Sequence, residues 1–128
     1  MKILIIEDDR QFRDMLSWML ETAGYEVETA VDGAEGVKSF AQSPTDLVIT
    51  DILMPEKEGV ETIQELKSSN PNLPSIAISG GSANISSSFG LDLAATVGAD
   101  RVLRKPFSRG EILLAVQDLM REINIESR

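Results

Sequence analysis

Glu7, Asp8, Asp51, Ser79 and Lys105 each stand at or just beyond the end of a short apolar run. Glu7 and Asp8 follow Ile3-Leu4-Ile5-Ile6. Asp51 follows Leu47-Val48-Ile49-Thr50, Ser79 follows Ile76-Ala77-Ile78, and Lys105 comes shortly after Val102-Leu103. If these runs are parallel strands, their ends share one rim of a sheet, where ligands of open α/β folds collect. Three carboxylates on one rim repel. Two unit charges about 4 Å apart cost about 4 kcal/mol at an effective dielectric of 20. A cation relieves that repulsion, and oxygen donors without imidazole or thiolate suit Mg²⁺. A divalent ion and the Lys105 ammonium together balance the three acids. The site then admits an anion, and a phosphoryl group is the natural one. Metal and ammonium would hold its oxygens, Ser79 could donate a hydrogen bond to one of them, and a carboxylate would act as nucleophile.

Composition removes most competing chemistries. The chain has no Cys and no His, which excludes thiol nucleophiles, disulfides, thiolate metal sites and imidazole acid–base catalysis. Lys plus Arg number 12 and Asp plus Glu 21, a formal charge of −9. That disfavours nonspecific nucleic-acid binding and attachment to an anionic membrane surface. With 128 residues, 42% hydrophobic and 26% charged, the chain reads as one globular domain able to bury a core without staples. The run Ile3–Ile6 is far too short to span a membrane and meets Glu7-Asp8-Asp9 at once. A cytoplasmic protein is expected.

The elements that must position these residues alternate in period. Ile3–Ile6, Leu47–Thr50 and Ile76–Ile78 are unbroken apolar runs, the pattern of strands covered on both faces. Glu26–Ala30 alternates and suits an edge strand; Val102-Leu103 is a last short one. Phe12, Met15, Leu16, Met19, Leu20 and Ala23 recur at helical spacing, stopped by Gly24. Further helices are expected around Val37–Ala41 after the cap Asp32, around Val60–Leu66, around Leu91–Ala95 before Gly98, and from Ser108 onward. There Ser108 with Glu111 makes a capping box, and Ile112 to Ile123 carry the apolar stripe. Five strands alternating with five helices predict an α/β fold with a parallel sheet and right-handed crossovers. The one biased stretch, GGSANISSS at 80–88, reads as a mobile loop.

Each singled-out residue also has a plainer reading. Asp51 suits a turn, Lys105 a solvated surface, and Ser79 before Gly80-Gly81 an ordinary loop. Helix capping accounts for one of three consecutive acids, most naturally Asp9. That leaves Asp8, and Glu7 directly or through water, for a metal. Phe12, Met15 and Met19 read as core.

Taken in order, ILIIEDD (3–9), LVITDILMPEKEG (47–59), IAIS (76–79) and VLRKPF (102–107) resemble the receiver domain of two-component response regulators over essentially the whole chain. The resemblance implies a flavodoxin-like doubly wound (βα)5 sandwich with strand order 2-1-3-4-5. It implies Mg²⁺ held by Glu7, Asp8, Asp51 and the backbone carbonyl of Leu53, with Asp51 as phosphoacceptor. Lys105 and Ser79 would contact the phosphoryl group, Ser79 would carry the switch hydroxyl, and the peptide before Pro106 would be cis. A single receiver domain over 1–128 is expected, its core about 1–123, without an output domain. It would take phosphate from a histidine kinase or phosphotransfer protein without turning over a separate substrate. It would control a downstream protein through its fourth helix, fifth strand and fifth helix, as a monomer or weak dimer.

Rival readings are a same-fold interaction module that has lost phosphorylation, a flavodoxin-like carrier and an Asp-nucleophile phosphatase. The retained acids and Lys105 weigh against the first. Glu7-Asp8-Asp9 would repel a flavin phosphate. Leu53 stands where the phosphatases need a second Asp. Within the receiver family, Val102 departs from the aromatic that many members place there, so another element must signal the switch. The segment 80–97 is expected to order on phosphorylation and to move its helix. Leu53 and Gly81 occupy the positions that tune dephosphorylation: one is apolar, the other cannot orient a water. A phosphoryl lifetime longer than that of the fastest members is therefore expected. Intact mass measured after removal of acetyl phosphate checks it; decay within seconds without a phosphatase refutes it.

Overall fold

The unbroken apolar runs form the centre of the sheet because each is sandwiched between two helical layers. The computed structural model describes residues 1–51, 58–79 and 98–126. Its strands are β1 (Lys2–Ile6), β2 (Glu26–Ala30), β3 (Leu47–Asp51), β4 (Ser75–Ser79) and β5 (Arg101–Arg104). They form one five-stranded sheet in the order β2-β1-β3-β4-β5, every pairing parallel. The helices among the described residues are α1 (Arg10–Thr22), α2 (Gly33–Gln42), α3 (Glu58–Ser69) and α4 (Arg109–Glu126).

Successive residues of β1 enter different cores. Ile3 and Ile5 join Leu16 and Leu20 of α1 and Ile112, Val116 and Leu119 of α4 on one face. Leu4 and Ile6 join Phe40 of α2 and Leu66 of α3 on the other. This two-sided burial is why the strand shows no polar alternation. The edge strands differ: β2 keeps Glu26 and Glu28, and no β5 residue is fully buried.

The helix boundaries follow local chemistry. Asp9 Oδ1 accepts from the amides of Gln11 at 3.0 Å and Phe12 at 3.3 Å, capping α1. Asp32 Oδ1 accepts from Glu35 N at 2.8 Å and caps α2. Ser108 and Glu111 make the reciprocal capping box at 3.1 and 3.3 Å. After α1, Gly24 has φ +100°, a left-handed conformation that favours glycine.

The structure departs from the sequence expectation in three places. Met15 is 40% exposed rather than core. Phe12 and Met19 are only half-buried, at the border of the α1–α4 core. Asp51 and Ser79 are the last residues of β3 and β4 rather than loop residues after them. The helix expected around Leu91–Ala95, the stretch 80–88, Gly81 and Leu53 lie outside the described residues. Among those described, no helix is long and apolar enough to cross a membrane.

At Gly36, α2 packs directly against Ile6 of β1. A Cβ there would lie 2.8 Å from Ile6 Cγ1 and inside contact distance of Cδ1, and Ile6 is wholly buried. Overpacking of this kind costs about 1–3 kcal/mol, against a helix-propensity gain of about 1 kcal/mol for alanine. Gly36→Ala is therefore expected to destabilise by about 1 kcal/mol, seen as a lower urea midpoint at unchanged slope.

Candidate functional site

The parallel register delivers the side chains to one rim. In the sheet Ile6 is level with Thr50, and Asp51 with Ile78, so Glu7, Asp51 and Ser79 emerge together at the carboxyl ends of β1, β3 and β4. Beyond β5, the Lys105 amide donates to Ser79 O at 3.0 Å, which fixes the lysine's loop to the end of β4. The Lys105–Pro106 peptide is cis, as the resemblance implies. Val102 is half-buried and level with Ala77.

Two carboxylates and one ammonium form the centre. Lys105 Nζ donates to Asp51 Oδ2 at 3.1 Å and to Glu7 Oε1 at 3.4 Å. The Glu7 side chain is 1% exposed and Asp51 is buried, while Asp8 is exposed and leaves the site open on its side. Glu7 Oε1 also accepts from Asp9 N at 3.3 Å. Glu7 Oε2 is buried with no hydrogen-bond partner. Ser79, at the end of the neighbouring strand β4, is 2% exposed.

Electrostatics follow from this geometry. Burial first, then the Asp51 charge, pushes the Glu7 carboxyl up to about 7. The Lys105 charge and the Asp9 amide oppose that rise without cancelling it. For Lys105, burial lowers the ammonium's pKa, but the charges and hydrogen bonds of Asp51 and Glu7 outweigh burial and raise it. The lysine therefore stays charged at neutral pH.

The donor set fits a hard divalent ion. One oxygen from each of Glu7, Asp8 and Asp51 can lie within 4.8 Å of the other two. All are oxygen donors, and the orphaned Glu7 Oε2 lacks a partner that a cation would supply. Three carboxylates against one ammonium leave two negative charges, which one Mg²⁺ would balance.

Glu7, Asp8, Asp51, Ser79 and Lys105 are thus brought together. Two contacts were not singled out from the sequence. Arg13 Nη1 donates to the Glu7 carbonyl at 2.8 Å, tying α1 to the acid-bearing turn. The Phe12 ring lies under the Lys105 ammonium, 4.0 Å from Nζ to the ring centroid. The only sequence signal for that contact is an aromatic in the first turn of α1, three residues after the cap Asp9.

Residues 3–117 match the family model described as the response regulator receiver domain. Among curated proteins, the chain is 34% identical over 125 residues to Response regulator MprA of Mycobacterium ulcerans, covering 98% of this chain and 52% of that protein. The chain thus spans about half the length of the curated relatives it matches. A response regulator receiver domain protein from Clostridium thermocellum superposes with a TM-score of 0.83 at 30% identity, covering 97% of both chains. Chemotaxis protein CheY4 of Vibrio cholerae superposes with a TM-score of 0.82 at 31% identity, covering 92% of this chain and 97% of that one.

The raised Glu7 carboxyl makes a prediction for stability. Without metal, the folded state holds a proton on Glu7 that the unfolded chain, at about 4.5, has lost. This group's contribution is therefore complete below pH 4.5 and is lost as pH rises to about 7. Glu7→Gln keeps an acceptor at Oε1 and removes the charge. In metal-free protein at pH 8 it should add about 1–3 kcal/mol of stability, and almost none at pH 4. Thermal melts at both pH values, with chelator present, check the sign.

Proposed function

The chain belongs to the response regulator receiver domain family, and on that premise we propose that Asp51 accepts a phosphoryl group as the input of a two-component signalling switch. The observation that carries this reading is the Lys105 ammonium bound at once to Asp51 at 3.1 Å and Glu7 at 3.4 Å, beside the buried Ser79. Receiver domains bind Mg²⁺ in an acidic pocket, and Glu7, Asp8 and Asp51 make such a pocket here. We assign the ion to these three carboxylates and to the backbone carbonyl of Leu53. When bound, it neutralises the acids and withdraws charge from phosphoryl oxygens.

The chain's own groups then have separate tasks. The Asp51 carboxylate attacks phosphorus, forming an O–P bond as the donor's P–N bond breaks, and the donor imidazole leaves with the bonding pair. Lys105, kept charged by its neighbours, meets the charge that spreads over the transferring oxygens. The Ser79 hydroxyl donates to one of those oxygens in the phosphorylated state. Because the Ser79 carbonyl already accepts from the Lys105 amide, a shift of one residue is felt by the other. We infer that a histidine kinase or histidine phosphotransfer protein is the donor. The downstream surface includes β5 and α4, whose Arg101 and Glu122 pair at 2.6 Å. Val102 offers no ring to swing inward, so another element signals the change, and we assign it to the segment 80–97.

With Mg²⁺ and acetyl phosphate, the wild-type protein is expected to gain the mass of one phosphoryl group, labile to base and hydroxylamine. Asp51→Asn should lose the gain entirely while keeping the circular dichroism spectrum. An adduct of unchanged yield in Asp51→Asn overturns the assignment, as does an unmodified wild-type protein.

A further inference from the structure

We propose that Phe12 is a positioning residue for Lys105: its ring face holds the ammonium in line for the anion that Asp51 accepts. The inference rests on the phosphoacceptor reading above, but its geometry is independent of it. Lys105 Nζ lies 4.0 Å from the Phe12 ring centroid, within the range of a cation–π contact. Phe12 is therefore more than a border residue of the core. Leucine would fill much of the same volume, but only an aromatic ring presents a negative face.

The ring is itself held from two sides. The Phe12 amide donates to the cap carboxylate of Asp9 at 3.3 Å, which locks its place in the first turn of α1. Phe107 packs edge-on against it, with ring centroids 5.6 Å apart and planes at 88°. Phe107 lies two residues beyond Lys105, so the lysine and the brace for its ring travel on one loop. That loop is fixed to β4 through the Lys105 amide and Ser79 O.

The physical need for the ring comes from the flexible four-carbon stem of lysine. Two carboxylates restrain the ammonium. A cation on the same carboxylates competes for their lone pairs and weakens that restraint. Among the described residues, the ring is a contact of the ammonium that a cation does not draw on. It keeps the lysine near the site when its ion pairs are shared, and lowers the ordering needed to meet an incoming phosphoryl group.

The test compares Phe12→Leu, which removes the π face, with Phe12→Tyr, which keeps it. Side-chain relaxation of Lys105 Cε is measured by NMR without and with Mg²⁺. Phosphorylation by acetyl phosphate is followed separately with Mg²⁺. Phe12→Leu should increase the Lys105 side-chain motion and slow phosphorylation by about three- to tenfold. Phe12→Tyr should restore both to near wild-type values. Phe12→Met serves as a second apolar replacement if the leucine variant does not fold. The proposal is overturned if a folded apolar variant keeps wild-type Lys105 order and rate, or if Phe12→Tyr loses as much as Phe12→Leu. A wild-type protein that takes no phosphoryl group would refute the Asp51 reading alone, since the relaxation data still decide the role of Phe12.

Discussion

The site depends on one electrostatic arrangement: a single ammonium held against two buried carboxylates at the end of a parallel sheet. Nothing local favours it. Burial pushes Glu7 toward its neutral form, and Asp51 pushes it further. The strands impose it, because Ile3–Ile6, Leu47–Ile49 and Ile76–Ile78 are so deeply buried that a register shift would remove side chains from both cores. Core burial thus offsets the unfavourable desolvation of the rim, a common division between scaffold and functional site.

The parts of this arrangement that could be read from the sequence are those decided within a few residues. The strands showed as β-branched runs because both faces of the sheet are covered. Asp9, Asp32 and the Ser108–Glu111 pair showed as caps because capping is a local hydrogen-bond problem. Alternation implied a parallel sheet, but the order of its strands came from family resemblance, since periodicity carries no information about neighbours.

Features decided between elements were not legible in the same way. Five apolar positions of α1 share one stripe, yet only Leu16 and Leu20 are fully buried. How far the stripe is covered depends on how the helix sits against the sheet and α4. Met15 therefore emerges to solvent, as does Trp18, which is 61% exposed beside Arg109. The contact of Phe12 with Lys105 joins the first turn of α1 to the loop after β5 and needs both in place together. The raised Glu7 carboxyl is equally non-local, since it reflects burial first and then the charge of Asp51, which the neighbouring strand β3 brings beside it.

Lys105 acts as the counterion of the two buried acids. Its ammonium is what makes a buried Glu7 and Asp51 tolerable side by side, and it donates to oxygens that a metal would also seek. Ammonium and divalent cation are therefore competitors for lone pairs, even though both are attracted to the same negative charge. When a cation takes the larger share, the ammonium is not expelled, because total charge still favours it and its amide remains bonded to Ser79 O. A share of its hydrogen-bond donors would then be released from the carboxylates. Those donors complement an anion. On the reading proposed for Asp51, metal affinity and phosphoryl acceptance are thus linked through one lysine.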